Sequence, residues 1–387
     1  MSAAGLTLEI AAPEVRRPAR ALHPLARLPE EWREYMKELG EPGFRGDQVF
    51  RWLHKDGVFE PARMTNLSQP LRQKLGELEL SSPLVERECR RSEDGTRKLL
   101  LELSDGLVIE CVMIPRDRDD EDPDEDPGER AAWAAGRPVT LCVSTQVGCA
   151  MGCVFCASGQ AGLKRGLGAH EIVGQVLAAR QRLDQGERLK NLVFMGMGEP
   201  LHHYGETARA IRLLTAPLGS AMSLRRITVS TVGLIPGIKK LGDDFAGKVG
   251  LAISLHAADT ETRSSILPMN RRFPLDDLLE ALRKYPLPKR RRITIEYTLI
   301  LGVNDSIAHA QRLARILNGI PVKVNLIPMN PIDQSALGAP TASGVEAFKA
   351  ELARLRVSCS VRQQRGDDVD AACGQLALKA PTPRANV

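Results

Sequence analysis

From residue 139 onward, short apolar, β-branched runs alternate with longer stretches whose apolar positions recur every three to four residues. The runs cover 139–143, 189–195, 226–232, 249–255, 292–300 and 323–327, and the periodic stretches 169–183, 204–215, 275–285, 307–317 and 344–355. The first pattern predicts strands buried on both faces and the second amphipathic helices. Strands separated by helices of this length build a parallel sheet with right-handed crossovers. About six such units predict an α/β fold, a partial, open (β/α)6 barrel, in place of a closed eightfold one.

The upstream pattern differs. Three short helical stretches, 30–39, 45–55 and 70–80, form a small accessory module, whose core Trp32 and Trp52 are expected to anchor. Residues 97–115 read as two strands around Ser104-Asp105-Gly106, a hairpin by its turn chemistry. Four segments follow: a flexible N-terminal extension (1–29), the helical module (30–95), the hairpin with an acidic loop (96–138) and a catalytic domain (139–380).

Composition adds little until charge is mapped. The 387 residues are 43% hydrophobic and carry a net charge of +5. No run of 18 apolar residues occurs and the N-terminus has no apolar leader, so a cytoplasmic protein without a membrane segment is expected. Segment 117–129 holds nine acidic residues against Arg118 and so carries −8, which leaves +13 on the remainder. Its composition prevents burial and predicts a surface loop. The basic body suits a polyanion, with Arg225-Arg226, Lys239-Lys240, Arg271-Arg272 and Lys289-Arg290-Arg291-Arg292 as candidate phosphate contacts.

The candidate chemistry centres on Cys149-Ala150-Met151-Gly152-Cys153-Val154-Phe155-Cys156. A structural zinc site wants four ligands, commonly as two separated pairs. Three thiols in one tight loop instead suit an iron-sulfur cube with one open iron, able to bind S-adenosylmethionine and pass it an electron. A zinc site completed from afar and ordinary buried thiols are the competing readings. Polar residues recur where the parallel strands end, which is where such sheets place their sites. These are Gly198 and Glu199 in Met195-Gly196-Met197-Gly198-Glu199-Pro200, Ser230, Ser254 with His256 on one face by strand alternation, and Asn330. Cys142 and Cys373 fit no cluster spacing. Cys142 alone reads as a packed strand residue, whereas Cys373, among Asp, Ala and Gly residues, reads as a reactive thiol in an exposed turn. Cys89, Cys111 and Cys359 read as structural.

The cysteine triplet with Phe155 before its last member resembles the signature of the radical S-adenosylmethionine superfamily. Further matches are Gly43-Phe44-Arg45, Glu110 to Pro115 (ECVMIP), Thr140 to Cys149 (TLCVSTQVGC), Gly196 to Pro200 (GMGEP), Ser254 to Ala257 (SLHA) and Ala371 to Gln375 (AACGQ). Together, over residues 30–378, they resemble the RlmN/Cfr group of RNA methyltransferases. The acidic insertion and the N-terminal extension depart from the group without touching a motif.

The resemblance implies methylation of adenine carbon 2 in 23S ribosomal RNA and in transfer RNA, using two S-adenosylmethionine molecules. It implies one 4Fe-4S cluster on Cys149, Cys153 and Cys156, and S-adenosylmethionine binding by Gly198, Glu199, Ser230, Ser254, Leu255, His256 and Asn330. It also implies Cys373 as methyl carrier, Glu110 as proton acceptor, and Cys142 as the thiol that releases the product by forming a disulfide with Cys373. A monomer served by an external electron donor, such as a flavodoxin-type protein, is expected. The sister reaction at carbon 8 and a zinc-stabilised RNA-binding protein without catalysis remain the alternatives.

Overall fold

The computed structural model describes residues 22–78, 80–116, 136–330, 337–372 and 374–376. The first 21 residues, the whole acidic segment 117–129 and Cys373 therefore lie outside the described residues.

Three helices open the described chain: α1 (Pro29–Glu38), α2 (Phe44–His54) and α3 (Gln69–Gly76). Two of them begin at a local chemical signal. A proline sits in the first turn of α1, and the Ser68 hydroxyl accepts from Leu71 N to cap α3. Trp32, Met36, Phe50, Leu53, Met64 and Leu71 are fully buried between them, as expected for Trp32. Trp52 is only partly buried and its indole N–H donates to Asn66 Oδ1 at the module surface. Arg27 lies against the rings of both Trp32 and Tyr35, a cation held by aromatic faces where water is excluded. The module rests on the helices of the body. Arg209 pairs with Glu31 at 2.8 Å, and Arg180 donates to the carbonyl of His54.

A ten-stranded sheet forms the rest of the frame. Its first three strands, β1 (Leu84–Arg91), β2 (Arg97–Leu103) and β3 (Val108–Pro115), are antiparallel. The hairpin formed by β2 and β3 matches the sequence expectation; β1 falls in the stretch assigned to the helical module. Its charge-rich sequence, LVERECRR, hides the strand because only Leu84 is buried. Then come β4 (Arg137–Cys142), a two-stranded ribbon of β5 (Gln146–Gly148) and β6 (Leu163–Gly166), and the parallel strands β7 (Glu187–Phe194), β8 (Ile227–Thr231), β9 (Gly250–Ser254), β10 (Ile293–Leu299), β11 (Val322–Pro328) and β12 (Cys359–Val361). In the main sheet β3 pairs antiparallel with β4, and β4, β7, β8, β9, β10, β11 and β12 then run parallel. The six-unit open α/β barrel is thus present, with a short seventh parallel strand at its edge.

The outer helices sit where the 3.6-residue pattern puts them, for example Ala169–Arg180, Tyr204–Thr215 and Leu275–Arg283. A further helix, Ile235–Phe245, connects β8 to β9. One continuous core joins these helices, the sheet and the N-terminal module. Among the described residues no helix is long and apolar enough to cross a membrane.

Arg97 at the start of β2 reaches across to Glu187 at the start of β7, and its other nitrogen donates to the carbonyl of Arg182. Both side chains are almost fully buried. Removing one member of such a pair strands the other in a poor solvent, at a cost of about 3–5 kcal/mol. Arg97→Met is therefore expected to lower stability by that order. Urea unfolding of the metal-free protein measures it, and a change under 1 kcal/mol would contradict the buried pairing.

Candidate active site

The site is a solvent-open cleft of about 910 Å³ at the C-terminal ends of the parallel strands. Cys149, Cys153 and Cys156 line one wall. Their loop is shaped by two left-handed glycines, Gly148 (φ +77°) and Gly152 (φ +66°). At Gly148 a Cβ would lie 1.8 Å from the carbonyl oxygen of Gly162, so no side chain fits. Cys149 N donates to that same carbonyl, and Val154 N donates to Ile266 O, pinning the loop at both ends.

Burial pushes the Cys149 thiol up to about 12 and the Cys153 thiol well above its ordinary value. Thiols so placed become thiolates only when a cation compensates them, as iron does. No three His, Cys, Asp or Glu side chains among the described residues converge as a single-ion cage would. Three thiols spread along a loop match a cubane, in which each thiolate holds a different iron. The residues present fit the group.

The opposite wall is built from strand ends. Gly198 adopts φ +106°, where a Cβ would meet Gln146 at 2.6 Å, so the backbone itself faces the cleft. Glu199 is buried, its carboxylate accepting from Leu201 N at 3.0 Å and Val232 N at 2.9 Å. Desolvation nevertheless raises its pKa to about 7. Ser230 and Ser254 follow from β8 and β9, their hydroxyls 3.5 Å apart. Asn330, beyond β11, completes the rim.

His256 reaches the cleft by a different route from simple strand alternation. It lies beyond the end of β9 in the left-handed region, φ +56°, and Asn304 fixes it by donating to its carbonyl at 2.7 Å. Its Nδ1 accepts from Thr298 N at 2.9 Å, which leaves the ring proton on Nε2. Burial drives its pKa down to about 3, so the ring is neutral, and it meets Phe155 of the cluster loop edge-on. Leu255 does not enter the cleft. Its side chain is buried in the core and its N–H and C=O are occupied by Glu296 O and Arg263 Nε.

The second group of predicted residues lies beside the cleft. Cys142 pairs across the sheet with Val112 of β3, and both belong to a small apolar cluster with Met197, Ala371 and Leu376. The C-terminal segment thus packs onto Cys142 from residues on either side of Cys373. Gly374 lines the cleft and accepts from Ala157 N at 2.8 Å, directly after the cluster loop, while the Ser158 hydroxyl donates to Leu376 O. Glu110, two residues before Val112 on the same face of β3, is buried. Desolvation raises its pKa, Lys98 Nζ stands 3.3 Å from Oε1, and Oε2 has no hydrogen-bond partner among the described residues. The Ser144 hydroxyl joins the two halves, donating to Glu110 O at 2.6 Å and accepting from Met197 N at 2.9 Å.

Several residues escaped sequence reasoning: Ser144, Gln146, Lys98, Glu296 and Arg362. Glu296 is a buried carboxylate in the cleft wall that accepts from Asn325 Nδ2 at 2.9 Å. A glutamate inside the apolar strand run 292–300 was the signal for it. Among the basic clusters, Arg225-Arg226 and the 289–292 run precede β8 and β10, so they lie at the sheet end opposite the cleft. Arg271-Arg272 follow β9 beside the cluster loop, on the cleft side.

Comparison with known proteins agrees with this geometry. Residues 143–314 match the family model of the radical SAM superfamily, and residues 28–79 match that of the ribosomal RNA large subunit methyltransferase N-terminal domain. A dual-specificity RNA methyltransferase RlmN of Sorangium cellulosum is 57% identical, over 94% of this chain and 97% of its own. A probable dual-specificity RNA methyltransferase RlmN of Heliobacterium modesticaldum is 45% identical over 90% of this chain and 87% of its own. The crystal structure of a radical SAM methyltransferase from Sphaerobacter thermophilus superposes with a TM-score of 0.81 at 40% identity, covering 91% of this chain and 98% of that one. With both domains matched and the similarity running nearly end to end, this chain belongs to the RlmN family of radical SAM RNA methyltransferases.

Proposed function

We propose that this chain methylates carbon 2 of an adenosine in 23S ribosomal RNA and in transfer RNA, with Cys373 carrying the incoming carbon. The observation that supports it most is one continuous space: the cleft lined by Cys149, Cys153 and Cys156 is also lined by Gly374, and the segment flanking Cys373 packs on Cys142.

Carbon 2 of adenine has no lone pair to attack a methyl sulfonium, so polar transfer fails and a radical is required. Cys149, Cys153 and Cys156 hold a 4Fe-4S cluster, and Gly198, Glu199, Ser230, Ser254, His256 and Asn330 bind S-adenosylmethionine. Leu255 contributes by fixing Ser254 and His256 on either side of it. When bound, the two groups supply the one-electron chemistry that removes a hydrogen atom from the methyl carried on Cys373. Glu199, already held by two main-chain N–H groups, accepts the ammonium of the amino acid moiety, and the neutral His256 offers a fixed donor from Nε2.

Once the carbon has added to the base, ring carbon 2 gives its proton to Glu110 and the adduct gives up one electron, for which a cluster held by Cys149, Cys153 and Cys156 would serve as acceptor. The methylene then bridges adenine and Cys373 as a thioether. Cys142 attacks the Cys373 sulfur, the bridge carbon takes the hydrogen of the Cys142 thiol, and methyladenine leaves with a Cys142–Cys373 disulfide, which an external two-electron reductant must reopen. A buried carboxylate beside a lysine and a thiol in an apolar cluster suit this order, because water that would quench the intermediates is kept out. A reducing, cytoplasmic setting, a flavodoxin-type electron donor and a monomeric state belong to the same proposal.

Mass spectrometry of nucleosides from ribosomal and transfer RNA of a deletion strain, with and without this gene, tests the reaction: 2-methyladenosine is expected, and 8-methyladenosine would replace this reading with the sister reaction. Cys142→Ala should trap an enzyme-RNA crosslink through Cys373 that survives denaturing electrophoresis, whereas Cys373→Ala should give neither crosslink nor methylated RNA. Multiple turnovers from Cys373→Ala would refute the carrier role.

A pH test addresses Glu199. Its pKa is raised to about 7 in the free protein and must fall when it binds an ammonium, so binding releases a proton. Affinity for S-adenosylmethionine should therefore be lost as pH drops through 7, approaching about tenfold per unit. Calorimetry between pH 5.5 and 8 reads this on the cluster-loaded protein, and a flat profile would separate Glu199 from the ligand.

A further inference from the structure

A single row of residues crosses the antiparallel part of the sheet and ends at Cys142. Register pairs Arg90 with Lys98, Lys98 with Val112 and Val112 with Cys142. Side chains in one row share a face, so Lys98 stands on the same face as Cys142, with Glu110 as its diagonal neighbour on β3. Lys98 is almost completely buried, and a lysine is rarely found so without a task for its charge.

Its ammonium is divided between two partners. One is Oε1 of Glu110 at 3.3 Å, the other the main-chain oxygen of Asp370 at 3.1 Å. Asp370 lies three residues before Cys373 and itself adopts a left-handed conformation, φ +52°. The preceding turn is held by the β1–β2 connection, Gly366 N donating to Asp94 Oδ2 at 3.0 Å and Glu93 N donating to Asp368 Oδ2 at 3.3 Å. The C-terminal segment is thus docked on β2 and its hairpin, with Lys98 as the contact that also reaches the carboxylate.

We propose that Lys98 is a positioning residue for the proton-transfer step: it orients Glu110 and ties it to the segment that carries Cys373. The proposal rests on the reading of Glu110 as proton acceptor. Lys98 touches neither base nor cofactor in it; its effect passes through Glu110. Among the described residues, the other charged and titratable groups around Glu110 are Arg90 from β1, Asp370 from the C-terminal segment and the thiols Cys111 and Cys142 from β3 and β4. Arg90 and Lys98 favour the carboxylate, whereas burial and Asp370 oppose it. Deleting the nearest cation moves the balance toward the protonated acid, which cannot accept a proton.

The test uses cluster-loaded enzyme in a Cys142→Ala background, where the crosslink to RNA accumulates and the second thiol cannot contribute a titration. The single-turnover rate of crosslink formation is followed against pH, with Lys98, Lys98→Met, Lys98→Gln and Lys98→Arg compared at matched iron content and thermal stability. Lys98→Met and Lys98→Gln are expected to shift the rising limb upward by about one pH unit or more, which at a pH below the limb is about a tenfold slower reaction. Lys98→Arg is expected to keep the limb in place. An unshifted limb in whichever neutral variant retains the cluster overturns the role of Lys98. Should Glu110→Gln crosslink at the parent rate, the assignment of Glu110 fails first, and the Lys98 role with it; the two failures are thereby distinct.

Discussion

The pairing of β3 with β4 is the constraint on which the rest depends. Four residue pairs, from Val112 with Cys142 to Pro115 with Val139, join an antiparallel extension to a parallel barrel. Without that seam the barrel would end at β4 with an open edge, a costly feature for an exposed sheet. With it, the extension sets Glu110 and Lys98 beside a cleft that is lined by the cysteine loop and by the ends of parallel strands. The same seam gives the C-terminal segment a surface on which to dock, since Val112 and Cys142 form the floor of the apolar cluster that receives Ala371 and Leu376.

A second theme is the removal of water from charged groups. Glu110, Glu199 and Glu296 are all buried, and for each the loss of hydration is the dominant influence and raises the pKa. What differs is the compensation: two main-chain N–H groups for Glu199, an asparagine for Glu296, a lysine for Glu110. Fixed dipoles favour a carboxylate without adding a counter-charge, as at Glu199. A neighbouring ammonium instead adjusts proton affinity, as the role proposed for Glu110 requires. Three chemically identical side chains thereby differ in what compensates their burial.

Much of this was legible in the sequence because the relevant signals are periodic or local. The parallel strands and outer helices follow from apolar spacing, and the cluster loop from cysteine spacing. The strand-end residues Glu199, Ser230 and Asn330 follow from topology once the strands are placed. What was not legible depends on partners far away in the chain. β1 is disguised by its charge, because it pairs at an exposed edge. His256 faces the cleft through a left-handed turn set by Asn304, 48 residues on, which no alternation rule contains. Lys98 carries no mark of its own in the sequence, and only the pairing register places it in line with Cys142. The roles proposed for Cys373, Cys142 and Glu110 come from family resemblance, since a lone thiol or carboxylate carries no mark of its function.

The seam between β3 and β4 also settles what the acidic insertion can cost. Its two ends, Arg116 and Gly136, are held together by Arg116 N donating to Pro138 O at 2.9 Å and by the pairing of Pro115 with Val139. For a segment whose ends are already clamped, closure entropy grows only with the logarithm of length, about 0.6 kcal/mol per doubling. The clamp stands where β4 begins, at the far end of the barrel from the catalytic cleft. An insertion can therefore lengthen, shorten or change its charge there at little expense to folding, and the strand junction acts as a port at which the chain is free to vary.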